Sequence, residues 1–184
     1  MTQGGKTGRL VAVVGASGAG KDTLIRAAMV QDPALHWARR AITRPASGSE
    51  PFGPLSDAEF DACLAAEEFA LHWHAHGLRY GISRAELAPL NQGRTVIFNG
   101  SRDALAEAWS QYPALCVIEI TAPSGLRASR LAARGRETSA QIAARIARCP
   151  TPVPNGLPLR QICNDGNLET GLRRFSSALY PDSA

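Results

Sequence analysis

The feature that most constrains this chain is a glycine-rich loop set between an apolar run and a helix-forming stretch. Arg9 to Val14 reads RLVAVV and predicts a short buried strand, and Lys21 to Met29 predicts the helix that follows. The segment between them fits the pattern G-x-x-x-x-G-K. Glycines let successive backbone N–H groups converge on a phosphate, and the helix N-terminus adds partial positive charge. The predicted phosphate-binding loop comprises Gly15, Ala16, Ser17, Gly18, Ala19, Gly20 and Lys21, with Lys21 reaching the β- and γ-phosphates of a nucleotide.

The two residues after the lysine are unusual for such a loop. Asp22 stands where most phosphate loops place a serine or threonine, and Thr23 follows it in a G-K-x-T pattern. The Thr23 hydroxyl is expected to touch phosphate or a magnesium-bound water. Asp22 can hold water on Mg²⁺, a hard cation that keeps much of its hydration. It can equally be a carboxylate favoured by the helix dipole, and the sequence leaves both interpretations open.

Strands alternate with helices along most of the chain, which predicts an α/β fold of the P-loop NTPase type. A parallel sheet with helices on both faces is the expected architecture, and 184 residues suit one domain. A second strand is predicted over Trp37 to Thr43. The stretch from about 44 to 83 then breaks the rhythm, so we expect a small acceptor-binding lobe inserted into a core of residues 1–43 and 84–184.

The basic residues of the chain point to an anionic ligand. Lysine and arginine number 20 against 16 acidic residues, and Lys6 and Lys21 are the only lysines. Arginine grips phosphate oxygens in pairs through its planar fork. No basic run is interleaved with aromatics, so no nucleic-acid partner is expected.

The sequence shows no pattern typical of an export signal or of a membrane-spanning segment. No apolar run approaches the ~20 residues of a membrane helix, and the start MTQGGKTGRL lacks the apolar stretch of a signal peptide. We therefore expect a cytoplasmic protein without a membrane partner. Monomer and homodimer both remain open.

Several further motifs make the chain resemble the guanylate-kinase-like P-loop kinases over most of its length. These are Thr43-Arg44-Pro45, an acidic Glu50, Leu55 to Phe60, Gly77 to Gly81 (GLRYG), Arg130 to Arg136 followed by Arg145, and Asn164-Asp165. The resemblance implies ATP as phosphate donor, with Mg²⁺ as cofactor. It implies a lid over about 130–148 carrying Arg134, Arg136 and Arg145, and it places Asn164 and Asp165 near the nucleotide base. Glu50, Tyr80 and Arg44 would belong to the acceptor site.

The departures from that family concern the acceptor. Leu71 stands where guanylate kinases have a glutamate that reads guanine, and Arg40 stands where they have a base-reading serine. Ala46 and Ser47 replace a second phosphate-binding arginine. Leucine cannot accept a guanine hydrogen bond, and leaving a polar group unpaired costs ~1–3 kcal/mol. GMP is therefore disfavoured, and we expect a phosphorylated acceptor without a base, held by Arg40 and Arg44.

Five strings taken together resemble one member family of this group, the ribose 1,5-bisphosphate phosphokinases. The strings are GASGAGKDT, RRAITRPAS, LHWHAHGLRYG, FNGSR and NDGNL. The resemblance implies ATP-dependent phosphorylation of the 1-phosphate of ribose 1,5-bisphosphate, giving 5-phosphoribosyl 1-diphosphate (PRPP), in phosphonate breakdown. The residues expected to neutralise the reacting phosphates are Lys21, Arg44, Arg134 and Arg145. Arg127 and Arg130 are interpreted as a solvated helix face.

Two polar features have competing interpretations. His72, His74 and His76 alternate on a strand, so they share a face, which suggests a metal site, a sugar or phosphate contact, or a surface cluster. We favour an acceptor contact by His74, because the resemblance places these residues at the acceptor pocket and no cysteine or carboxylate stands near them in the sequence. Asn99 ends the apolar run TVIFN and is expected at the acceptor, although a plain turn capped by Ser101 is the alternative.

Two other functions remain to be weighed. A nucleoside monophosphate kinase acting on GMP needs a carboxylate or amide facing the base, and Leu71 disfavours it. A non-catalytic guanylate-kinase-like interaction module usually lacks the loop lysine, and Lys21 is intact.

Overall fold

The computed structural model of the protein describes residues 8–44, 52–135, 137–148 and 151–180. The strands are β1 (Arg9–Val14), β2 (His36–Ala38), β3 (Arg40–Ile42), β4 (Phe52–Pro54), β5 (Phe69–Ala75), β6 (Leu78–Ser83), β7 (Thr95–Asn99), β8 (Cys116–Thr121) and β9 (Leu159–Cys163). The helices are α1 (Lys21–Gln31), α2 (Asp57–Ala65), α3 (Arg84–Leu87), α4 (Leu105–Gln111), α5 (Ser124–Ala133), α6 (Ser139–Ala147) and α7 (Leu168–Leu179). Short 3₁₀ helices span Ala88–Gln92 and Arg102–Ala104. The predicted site residues Glu50 and Arg136, and the replacements Ala46 and Ser47, lie outside the described residues.

The main sheet is parallel and runs in the order β2-β7-β1-β8-β9. Its central strand β1 is buried on both faces, which explains why its sequence is a continuous apolar run rather than an alternating one. Val11 and Val13 pack with Ile25 and Phe175 of α1 and α7, whereas Leu10, Ala12 and Val14 pack in a second cluster that includes α4. The expected α/β architecture, a parallel sheet between helices, is confirmed.

A smaller sheet follows, in the order β4-β3-β6-β5, with β3–β6 and β5–β6 antiparallel. It begins at Arg40, ahead of the lobe boundary expected at residue 44. The predicted single strand Trp37 to Thr43 is in fact two strands that belong to different sheets, because β2 pairs with β7 and β3 pairs with β6. The Glu86 carboxylate accepts from the backbone N–H of Arg39 at 3.0 Å, at the residue between the two strands. The division of the chain into core, inserted lobe and lid stays a prediction.

The helices of the described segments are short or carry polar faces. Among them none is both long enough and apolar enough to cross a membrane.

Candidate active site

A cavity of about 530 Å³ opens at the carboxyl ends of β1 and β7, beside the smaller sheet. The phosphate-loop residues that line it are Gly15, Ala16, Ser17, Gly18, Gly20, Lys21 and Asp22. The smaller sheet and its flank contribute Arg40, Ile42, Arg44, Trp73, Ala75, His76 and Tyr80. The remaining lining residues are Asn99, Gly100, Ser101, Arg102, Asp103, Arg134, Arg145, Arg148 and Thr151. Cationic side chains from separate elements therefore converge on one cavity.

The glycine loop leaves the start of α1 open toward this cavity. Its glycines Gly15, Gly18 and Gly20 all have positive φ, so the loop curls back over the helix axis. Gly20 occupies the N-cap position of α1 and makes no side-chain cap, which leaves N-terminal N–H groups for an anion. The loop holds the Lys21 ammonium in place, because Nζ donates to the carbonyls of Gly15 (2.7 Å) and Ala16 (3.3 Å).

Burial at the bottom of the cavity lowers the pKa of Lys21 to about 8, from an ordinary value of 10.5. The Asp22 carboxylate opposes that shift, whereas the positive charges of Arg40, Arg102 and Arg134 add to it. These positive charges repel one another, and a bound polyanion would offset that repulsion. This charge distribution suits a polyanionic ligand such as a phosphate chain.

The lowered pKa predicts how nucleotide affinity changes with pH. Bound polyphosphate favours the ammonium form of Lys21, so binding takes up a proton once the free lysine has begun to lose its own near pH 8. Below that pH affinity is level; above it the association constant falls by up to about tenfold per pH unit. The arginines do not titrate in this range. Calorimetric titrations of ATP between about pH 6.5 and 9.5 will show this slope, and Lys21→Met is expected to remove it; an unchanged slope in that variant would contradict the assignment.

Asp22 and Thr23 separate clearly in the structure. Asp22 lines the cavity, and its Oδ1 accepts from the Asn99 side-chain amide at 2.5 Å, which joins the start of α1 to the end of β7. Thr23 is exposed and lies outside the cavity lining. The other cavity carboxylate, Asp103, accepts from the Thr151 hydroxyl at 2.5 Å. A carboxylate oxygen is a ligand that Mg²⁺ accepts alongside water and phosphate oxygens, so the donor set at Asp22 fits that ion.

The segment predicted to be a lid contacts the phosphate loop through Arg145. This α6 arginine donates to the Ser17 hydroxyl from Nη2 (2.9 Å) and Nε (3.2 Å), and it pairs with Glu137. Arg134, at the C-terminal end of α5, is exposed and lines the cavity beside Gly135, whose φ of 64° marks a left-handed turn. Two of the predicted lid arginines therefore face the cavity together.

Arg127 and Arg130 do not form the solvated helix face that was expected of them. Both are partly buried on the side of α5 that packs against the phosphate loop. Arg130 Nη1 donates to the Ala19 carbonyl at 3.4 Å, and Arg127 Nη2 donates to the Ile146 carbonyl of α6 at 3.3 Å. Their sequence spacing did not reveal this, because helix α5 lies across the loop.

The smaller sheet supplies an aromatic and cationic wall to the cavity. Trp73 and Tyr80 stack nearly parallel, with ring centroids 5.4 Å apart, and the Arg40 guanidinium lies 5.5 Å from the Tyr80 ring centre. Behind the stacked pair, Leu71 and Ile82 are almost completely buried in the core. The wall that faces the cavity therefore offers rings and a guanidinium, with aliphatic packing behind.

Several predicted site residues are not brought to the cavity. Leu71 is core, at 3% exposure, and His74 is exposed on the face of β5 opposite Trp73. Ala19 is buried beneath the loop. Asn164 is also buried, and its amide donates to the Ala19 carbonyl at 2.8 Å, so it braces the loop from below. Asp165 is exposed and pairs with Arg174 at 2.6 Å.

Some cavity residues were missed by the sequence reasoning. Arg148 and His76 meet across the cavity, with Arg148 Nη1 3.2 Å from His76 Nδ1; burial, followed by the Arg148 charge, lowers the pKa of His76. His76 has a φ of 56° in the two-residue turn between β5 and β6, a conformation uncommon outside glycine. Arg102, Asp103 and Thr151 complete the set. The string FNGSR contained Arg102, but its spacing from Asn99 gave no indication of where its side chain points. Among the described residues, His72, His74 and His76 do not form a group of metal-ligating side chains.

Comparisons with known proteins agree with this geometry. The chain is 45% identical over 180 residues to "Ribose 1,5-bisphosphate phosphokinase PhnN" of a Ruegeria species, covering 96% of this chain and 94% of that protein. It is 46% identical over 176 residues to "Bifunctional ribose 1,5-bisphosphokinase-thymidine phosphorylase" of Azorhizobium caulinodans, covering 94% of this chain and 25% of that protein. The chain therefore spans about a quarter of the length of this bifunctional relative.

The fold is also found among solved structures. A guanylate kinase from Anaplasma phagocytophilum superposes with a TM-score of 0.68 at 18% identity, covering 96% of this chain and 87% of that one. No family model matches the chain. By its 45% identity to a relative of which it covers 94%, the chain belongs to the ribose 1,5-bisphosphate phosphokinase family.

Proposed function

We propose that this chain transfers the γ-phosphoryl group of ATP to the 1-phosphate of ribose 1,5-bisphosphate, giving PRPP. The observation that carries the proposal is one cavity lined both by the phosphate loop with Lys21 and by Arg40 and Arg44 of the smaller sheet and its flank. Family membership supports the choice of sugar phosphate.

The donor half of the reaction is assigned to the glycine loop and the lid. The β- and γ-phosphates of ATP would lie on the loop N–H groups and the Lys21 ammonium, with Arg134 and Arg145 neutralising charge from the lid side. Arg136 is proposed to assist them. Mg²⁺, when bound, would be held by Asp22, either directly or through water, and would supply positive charge to neutralise the phosphates.

The acceptor half is assigned to the smaller sheet and the end of β7. The attacking oxygen of a sugar phosphate is already ionised at neutral pH, so the site needs no general base. The barrier lies in bringing two polyanions together, and Arg40 and Arg44 provide positive charge on the acceptor side of the cavity. Tyr80 and Asn99 are proposed to orient the acceptor, and Glu50 to take part from the adjoining segment.

Closure of the site is proposed to favour phosphoryl transfer to the acceptor over hydrolysis of ATP. Lid closure over residues 130–148 would exclude water from the reacting phosphates. A phosphotransferase of this kind would act in phosphonate breakdown in the cytoplasm, without nucleic-acid or membrane partners, as a monomer or a homodimer.

One parallel assay tests the proposal. With ATP and Mg²⁺, we expect the protein to convert ribose 1,5-bisphosphate to PRPP and to leave GMP essentially unphosphorylated, because Leu71, which stands where guanylate kinases have a guanine-reading glutamate, cannot accept a hydrogen bond from the base and is buried in the core. Product is followed by phosphorus NMR, with ATP hydrolysis in the absence of acceptor as the blank. Turnover of GMP in place of the sugar would identify a nucleoside monophosphate kinase. Binding of ATP without turnover of either acceptor would also contradict the proposal.

A further inference from the structure

Arg102 is a cavity residue whose orientation is fixed from behind. It follows β7 and opens the 3₁₀ helix, and both Nε (2.8 Å) and Nη2 (2.5 Å) donate to the same oxygen, Oε1 of Glu119. Gln161 of the neighbouring strand β9 donates to the other carboxylate oxygen, Oε2, at 2.8 Å. The side chains of Arg102 and Glu119 are only 14% and 10% exposed. Glu119 of β8 thus orients the Arg102 guanidinium, and Gln161 of β9 in turn holds Glu119.

This arrangement leaves one end of the guanidinium for a ligand. The Nε–Nη2 edge is occupied by Glu119, whereas Nη1 makes no hydrogen bond within the described part of the chain. A guanidinium binds planar or tetrahedral oxyanions in pairs along either edge. Because Arg102 lines the cavity, the Nη1–Nη2 end is the part of the side chain available to a substrate phosphate.

A purely structural role explains the cluster poorly. A buried ion pair contributes little net stability, since the loss of hydration offsets most of the attraction. The charge of Arg102 also adds to the lowering of the Lys21 pKa, which places the guanidinium near the ammonium of the phosphate loop. Two cations held close together at the cavity are stabilised when an anion binds between them.

We infer that Arg102 binds a phosphate group of the substrates through its Nη1–Nη2 end, and that Glu119 and Gln161 are positioning residues that keep that end in the cavity. The inference rests on the proposed function and extends it to residues outside the phosphate loop and the lid. The ligand chemistry is a phosphate oxyanion, and its source is either the terminal phosphates of the nucleotide or a phosphate of the acceptor.

The first test separates the paired hydrogen bonding of the Arg102 guanidinium from its positive charge. Arg102→Lys keeps one positive charge but loses paired donation, so we expect kcat/KM to fall roughly 10- to 100-fold. Calorimetry with a non-hydrolysable ATP analogue and, separately, with ribose 1,5-bisphosphate shows which ligand loses affinity, and this identifies the source of the phosphate. The matched control is Arg79→Lys, which alters a similarly buried arginine paired with Asp61 at 2.6 Å outside the cavity. Equal kcat/KM in Arg102→Lys and the wild type would overturn the inference.

The second test concerns positioning. Glu119→Ala leaves the Arg102 charge but releases its orientation, and we expect roughly a tenfold loss in kcat/KM. Glu119→Gln retains an oxygen acceptor and is expected to recover most of that loss. In an Arg102→Ala background Glu119→Ala should cost nothing further. Additive losses would mean that Glu119 acts independently of Arg102, and they would overturn its positioning role.

Two further measurements test Arg102 if the single variants do not fold or if the wild-type protein does not act on ribose 1,5-bisphosphate. If single variants fail to fold, Arg102→Met combined with Glu119→Met removes both charges from the buried pair together, and its affinity for pyrophosphate is still expected to fall roughly tenfold. If the wild-type protein does not act on ribose 1,5-bisphosphate, the proposed function fails. Pyrophosphate affinity in Arg102→Lys then still decides the role of Arg102: an unchanged affinity overturns it.

Discussion

Replacing Lys21 by methionine is expected to lower turnover by about 10³-fold or more while leaving the fold intact. The ammonium donates to the carbonyls of Gly15 and Ala16 and lines the cavity in which the proposed phosphoryl transfer would develop negative charge. A preorganised cation in a site shielded from water stabilises that charge without reorganisation. Methionine fills a similar volume but supplies neither charge nor a donor.

Stability is expected to move in the opposite direction from activity in this variant. The folded-state pKa of Lys21 lies below its unfolded value, so the protonated lysine costs stability at every pH below about 8, and that cost declines as pH rises toward 10.5. Lys21→Met removes the cost, and the nucleotide-free variant should melt at the same temperature or higher near neutral pH. Added ATP should raise the melting temperature of the wild type by more than that of the variant, because the variant binds ATP more weakly. Thermal melts with and without ATP check both points, and unchanged turnover in a folded Lys21→Met protein would exclude the proposed donor site.

Local patterns in the sequence determined the elements of the main sheet well. β7 (Thr95–Asn99) is an apolar run that ends at a polar asparagine, and α7 (Leu168–Leu179) is an amphipathic stretch that begins after the Asn167 cap, so both elements follow from the local sequence. Ser56 forms a capping box with Glu59, three residues on, and the hydrogen bonds from Ser56 lower the pKa of Glu59. Such features depend only on residues a few positions apart.

The parts that sequence could not predict depend on contacts between distant segments. The break at Arg39 sends β2 and β3 to different sheets, and it is set by Glu86, far along the chain. The orientation of Arg102 depends on Glu119 and Gln161, which lie on two other strands. His74 and His76 are two residues apart in the sequence, which predicts that they share a face of one strand. The chain reverses after Ala75, however, and of these two only His76 lines the cavity. The loop motif itself was readable because its chemistry lies within seven consecutive residues, Gly15 to Lys21.

The second large effect is expected at Gly15, the first residue of the phosphate loop. Its φ is +147°, and a Cβ there would lie 2.2 Å from the carbonyl oxygen of Ile120, a backbone atom of β8. Gly15→Ala therefore forces β1 and β8 apart or displaces the loop, because a backbone atom cannot rotate away as a flexible side chain can. We expect a loss of roughly 3 kcal/mol or more in unfolding free energy, the range of overpacked and strained backbone sites. Since the Gly15 carbonyl also holds Lys21, ATP affinity should fall together with stability.

The matched control for this substitution is Gly125→Ala in α5, where an added Cβ meets nothing within 4 Å. That change should leave activity unaltered and stabilise the protein by about 0.5–1 kcal/mol, because alanine restricts the unfolded chain and favours the helix. Denaturant melts and ATP titrations of both variants compare a crowded glycine with an open one. If Gly15→Ala has the stability and ATP affinity of the wild type, the loop does not pack against β8 as described. The position of Lys21, which depends on the Gly15 carbonyl, would then also be wrong.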